Sequence, residues 1–127
     1  MPAQTYPVPL IGSEQIFFIP FSFETNEKGT IALGTLPYRA KVKSVKSVMH
    51  KAAGASDTGT IDIKKASTTI ATVTVGISAA IGEEDAAPSV DESVAFEVTD
   101  QITMVTTKTT AGGKGILSLT LEVLPSH

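Results

Sequence analysis

Along much of this 127-residue chain, apolar and polar residues alternate with a period of two, the spacing of a half-buried β-strand. In "TVTVGISAAI", Val73, Val75, Ile77, Ala79 and Ile81 fall on one face, and Thr72, Thr74, Gly76, Ser78 and Ala80 on the other. In "ILSLTLEV", Leu117, Leu119, Leu121 and Val123 point one way and Ser118, Thr120 and Glu122 the other. "SVAFEV" sets Val94, Phe96 and Val98 against Ala95 and Glu97. "IFFIPFSF" aligns Phe17, Ile19, Phe21 and Phe23, with Pro20 marking an edge or a bulge. Turn chemistry divides these runs: "NEKG", "GTLP", "GASDTG", "KASTT", "GEEDAAPS", "TDQ" and "TTAGGKG". The pattern predicts strands near 14–24, 29–34, 38–50, 59–65, 69–81, 92–99, 101–108 and 115–124. Eight strands, each with one apolar face, predict an all-β fold: a single-domain antiparallel β-sandwich, best matched by an eight-stranded jelly roll.

The first thirteen residues read differently. Pro2, Pro7 and Pro9 disfavour regular pairing and predict an extended arm over 1–13, ahead of a sandwich domain over 14–127. Tyr6, Val8, Leu10 and Ile11 make that arm apolar, so it is expected to lie on its own domain or on a neighbouring subunit.

The segment "YRAKVKSVKSVMHK" holds half of the chain's basic residues: Arg39, Lys41, Lys43, Lys46 and Lys51. At helical spacing Val42, Val45, Met49 and Ala52 form a stripe, but Lys41 falls inside it and the valines and serines are mediocre helix formers. As a strand, Arg39, Lys41 and Lys43 alternate with Ala40 and Val42, and one bulge near Ser44–Val45 resets the register. The strand is the expected form, its lysines facing outward as a device against edge-to-edge aggregation. Seven of the thirteen acids lie in 83–100, which opens a second reading of the lysines as docking groups: the basic strand and this acidic run meet between subunits, or one of them meets an oppositely charged partner.

Composition supports the all-β reading and narrows the function. Thr is the commonest residue, and Thr, Val and Ile make up roughly a third of the chain, the β-branched set that packs well on a pleated surface. The net charge is −3, so no overall basic field draws the chain to nucleic acid. Within the basic stretch, one Arg and one aromatic supply neither the Arg forks nor the stacking platforms that nucleic-acid readers use. Charged residues are only 18%, against about 25% in typical soluble domains, which points to surface hidden between subunits. There is no cysteine, hence no disulfide, thiolate nucleophile or Cys-bound zinc. The N-terminus lacks the pattern of a signal peptide and no apolar run reaches membrane-spanning length, so synthesis in a cytoplasm is expected.

Motifs that carry chemistry are thin. Asp57-Thr58-Gly59 matches the Asp-Thr-Gly of small dimeric aspartic proteases, but it follows "AGAS" where those enzymes place apolar residues. His127 is the last residue and His50 has no relay motif around it. "GEEDAAPSVDE" lacks the alternating ligands and central glycine of a calcium loop, and reads as a solvated loop. "AGGKG" lacks the spacing of a phosphate loop and reads as a flexible hairpin turn. The expectation is a non-enzymatic protein with no cofactor, no metal and no small-molecule substrate.

Taken as a layout, the arm followed by "GTIALGTLPYRAKVKSV", "TGTIDIKKASTTIATVTV", "ESVAFEVTD" and "GGKGILSLTLEV" resembles the small capsid decoration (cement) proteins of tailed bacteriophages. The resemblance spans most of the chain, in style and segment order and without an invariant motif. It implies a β-sandwich homotrimer that binds the major capsid protein on the outer surface of the head, often at threefold or quasi-threefold points, and reinforces the shell against internal DNA pressure. It also implies residence in the virion after synthesis in the host cytoplasm. The candidate capsid or inter-subunit contacts are Tyr6, Val8, Leu10 and Ile11 on the arm and Arg39, Lys41 and Lys43 on the basic strand. A carbohydrate- or receptor-binding sandwich is the main alternative, against which stands the absence of Trp. The dimeric protease is a remote one.

Overall fold

The computed structural model describes residues 10–53, 57–76, 79–84 and 86–125. Among them nine strands form: β1 (Glu14–Ser22), β2 (Thr30–Gly34), β3 (Ala40–Lys51), β4 (Gly59–Lys65), β5 (Thr68–Val75), β6 (Ala86–Val90), β7 (Ala95–Phe96), β8 (Ile102–Thr107) and β9 (Lys114–Val123). They make two antiparallel sheets, ordered β1-β9-β3-β7 and β2-β8-β4-β5-β6. Four antiparallel pairings carry the architecture: β1 with β9, β2 with β8, β3 with β7, and β4 with β5. The chain is therefore one long ribbon folded back at the β4–β5 turn and wound into two facing sheets. That is the jelly-roll wrap, with β6 added at one edge.

The alternation read from sequence explains why these segments bury one face. Leu117, Leu119, Leu121 and Val123 of β9 are all buried, as are Ile61 and Ile63 of β4, Val73 and Val75 of β5, and Ile102 and Met104 of β8. In β3, Ala40 and Val42 point inward on even numbers, and Val45, Ser47 and Met49 on odd ones. The switch is made by a register shift between Val42 and Ser44, which leaves Lys43 as the extra residue. The expected bulge is present, one residue earlier than placed. The segment is a strand, as the clean alternation of Arg39, Lys41 and Lys43 required.

Two stretches depart from expectation. The strand expected over 69–81 ends at Val75, because the chain leaves its sheet and bonds to the other one. Gly82 N donates to Met49 O at 2.7 Å, Met49 N donates to Glu83 O at 3.1 Å, and Ala53 N donates to Ala79 O at 2.9 Å. Ala79 is buried by this crossing, but Ile81 is turned out to solvent instead of joining the core face; Ile77 and Ser78 lie outside the described residues. The strand expected over 92–99 shrinks to Ala95–Phe96, and the acidic stretch read as a loop contains β6 instead. Here side-chain carboxylates capture the backbone locally: Asp91 accepts from Ser93 N at 3.0 Å and Asp100 from Glu97 N at 2.7 Å, closing turns on both sides of β7. Phe96 remains fully buried, while Val98, expected on the same face, is exposed.

Candidate interaction surface

The basic strand folds against the acidic run of its own chain. Arg39 Nε lies 2.8 Å from Glu97, Glu92 bridges Lys41 at 3.6 Å and Lys43 at 3.5 Å, and Lys43 also reaches Glu122 at 3.6 Å. Lys46 pairs with Glu84 at 2.9 Å and Lys51 with Glu24 at 2.8 Å. Glu92, and after it Glu122, hold the Lys43 ammonium above the usual lysine range. The acidic run and the basic strand do meet, but inside one subunit. Each of the five cations thus has an intrachain acid, and solvent-accessible pairs of this kind contribute little to stability.

An uncovered apolar surface lies on β1. Among the described residues this strand is an edge of its sheet, paired on one side only, with β9. Phe18 is 70% exposed and Ile16 57%, both on the outer face. Phe17, on the inner face, is 39% exposed because the sheets gape between β1 and β2. The opening is a cleft of about 590 Å³ lined by Phe17, Ile19, Leu33, Leu36, Leu119 and Leu121 among others. Of the expected arm contacts, Tyr6 and Val8 lie outside the described residues. Leu10 and Ile11, 79% and 68% exposed, precede β1. They occupy a tight turn closed by Ser13 N donating to Leu10 O at 3.0 Å, with Gly12 at φ 84°. A positive φ at that third position is what a type II turn demands.

Asp57, the residue that raised the protease question, is held in a structural clamp. Its carboxylate pairs with Lys108 Nζ at 2.7 Å and accepts from Thr109 N at 2.8 Å and Thr110 N at 3.0 Å. The Lys108 side chain is fully buried, so Asp57 supplies the counter-charge that a buried ammonium requires. Lys108 first, and then the backbone donors, depress the Asp57 pKa from 3.8 to about 2. A depressed carboxylate stabilises the fold above its unfolded pKa, and that contribution is lost as pH falls from about 4 through 2. Asp57→Asn should therefore lower Tm at pH 7 by several degrees and flatten the fall of Tm between pH 4 and 2, measured by calorimetry. An unchanged acid limb would remove Asp57 from this role. Among the described residues, no group of His, Asp and Glu side chains is placed to hold a metal ion.

No family model and no curated protein matches the chain. Among solved structures, the virus-like particle of the giant freshwater prawn Macrobrachium rosenbergii extra small virus is similar over 98% of this chain and 88% of that one. The two share 15% identity with a TM-score of 0.36, a likeness too loose to carry an argument about function.

The apolar edge is the feature that reading by period missed. "IFFIPFSF" was aligned as Phe17, Ile19, Phe21 and Phe23 on the buried face, which left Ile16 and Phe18 on the other face with no polar residue between them. A strand apolar on both faces is either central and covered twice or an edge awaiting a partner. Pro20 in the same strand is compatible with an edge or a bulge, and the structure makes it an edge.

Proposed function

We propose that this protein is a bacteriophage capsid decoration protein, a homotrimer that binds the major capsid protein on the outer surface of the head and stabilises the shell. The observation that carries the reading is the uncovered apolar strip along β1, with exposed Leu10 and Ile11 ahead of it, on a sandwich whose basic strand is already paired with the chain's own acids. The sequence resemblance supplies the class of partner; the strip supplies a means of contact without catalytic chemistry. Three copies acting together convert weak contacts into avidity, a gain of about 10² to 10⁴. Because the cations of the Arg39, Lys41 and Lys43 face have partners of their own, the contact with the shell is apolar more than ionic.

Light scattering on the purified chain tests the oligomer, and sedimentation with heads of the phage that encodes it tests the role. The expected mass is about 40 kDa, three times 13.2 kDa. Binding to heads should change by less than about threefold between 0.1 and 0.5 M salt, since screening weakens exposed charge pairs and leaves apolar burial intact. A monomer that stays in the supernatant would overturn the proposal. Binding on a glycan array by that monomer would point to a receptor-binding module instead.

A further inference from the structure

We propose that the free edge of β1 in each copy takes residues 6–9 of a neighbouring copy as an added strand. The inference rests on the oligomeric reading above and names the contact that builds it.

The four sheet edges are not equivalent. β7 has two residues, β6 carries Pro88, and β2 is five residues long with a register shift between Ala32 and Gly34. Each is a poor template for another strand. β1 is nine residues long. Ser13 and Phe23, at its two ends, direct their backbone groups toward the β9 side: Val123 N donates to Ser13 O at 2.9 Å, Phe23 N to Gly113 O at 2.8 Å and Gly112 N to Phe23 O at 2.9 Å. By the alternation of a strand, the N–H and C=O groups of Glu14, Ile16 and Phe18 point the other way, to the open edge. Pro20 falls in that same set, where its missing N–H breaks no bond to β9.

The occupant must be apolar on both faces, because Ile16 and Phe18 are exposed on one side of this edge and Phe17 on the other. Residues 6–9, Tyr-Pro-Val-Pro, meet that demand. Their prolines also alternate. In an extended strand Tyr6 and Val8 direct their N–H and C=O groups to one side and Pro7 and Pro9 to the other, so one side can pair and the other has no donor. Such a segment adds to a sheet once and ends it. It is a strand designed to cap.

The neighbour's segment fits better than the chain's own. The turn closed by Ser13 N and Leu10 O would, if continued as a hairpin, set Val8 against Gln15 and Tyr6 against Phe17. Those two residues lie in the set that faces β9. A segment from another copy is free of that register. Passing each arm to the next copy is a head-to-tail contact, which closes into a ring when three copies complete a turn.

The test combines light scattering with amide hydrogen exchange on the full chain, on a chain lacking residues 1–9, and on Val8→Pro, which removes one of the segment's two pairing donors without touching the sandwich. Expected are a trimer for the full chain with slow exchange at Ile16 and Phe18, association weakened at least about tenfold in both variants, and fast exchange at those two amides. If the full chain is a trimer and both variants remain so with unchanged exchange, the arm contact is overturned while the oligomer stands. A monomeric full chain overturns both. Slow exchange at Ile16 and Phe18 in that monomer would assign the edge to the chain's own arm.

Discussion

Gly115→Ala should destabilise the domain by about 3 kcal/mol, a loss comparable with that of a core truncation, although it adds a single methyl group. Gly115 lies within β9, between Phe21 of β1 and Met49 of β3. A Cβ built there would stand 2.3 Å from the carbonyl oxygen of Val48 and 2.5 Å from Cζ of Phe21. The ring can move only by opening the buried cluster beneath it, and the carbonyl only by distorting the β3–β9 pairing at the centre of the sheet. Overpacking against backbone relaxes poorly, which puts the effect at the upper end for such changes. Urea unfolding would measure it. Adding Phe21→Leu should recover part of the loss and no more, since the clash with Val48 remains. Full recovery would show that the ring alone sets the limit, and no loss in the single variant would show that the strands separate easily here.

Phe23→Ala should cost about 4 kcal/mol, in the range for deleting a fully buried aromatic ring. Phe23 follows β1 and is completely buried, with its ring 5.5 Å from that of Phe21 at an interplanar angle of 67°. An edge-to-face pair of this kind adds about 1 kcal/mol beyond the area removed from water. On its other side the ring fills the space above Gly59, where a Cβ would come within 2.7 Å of Cζ. The two positions are therefore coupled in a defined direction. Gly59→Ala should destabilise the parent protein but be close to neutral in the Phe23→Ala background, where the methyl group enters the vacated space. A double-mutant cycle by urea unfolding reads this coupling directly. Additive effects would mean that Phe23 and Gly59 do not share that space.

Where the fold was legible, the reason is local. Alternation in "ILSLTLEV" and "TVTV" is a property of a few neighbouring residues, and a sheet buried on one face has no other way to satisfy it. The bulge in β3 was legible for the same reason, because Val42 and Val45 cannot both face inward in a regular strand. The early end of the strand after Val75 was not legible: "GISAAI" continues the alternation, and it is overridden by hydrogen bonds to β3 on the opposite sheet. Nor was the fate of the acidic run. Asp91 and Asp100 divert the backbone into turns, whereas Glu84, Glu92 and Glu97 are drawn to Lys and Arg residues some 40 to 60 positions earlier in the chain.

The sequence by itself determined an all-β sandwich, the positions of most strands and the shape of the basic strand, since period, propensity and turn chemistry act over a handful of residues. Tertiary structure alone decided what those residues do. It neutralised the lysines with the chain's own acids, converted Asp57 into the counter-ion of a buried lysine, and left Ile16 and Phe18 uncovered. It also made Gly115, which reads as a residue of a flexible turn, a place where two strands and a ring leave no room for a methyl group. Each of these depends on which distant segments the jelly-roll wrap brings side by side, and hydrophobic period carries no information about that choice.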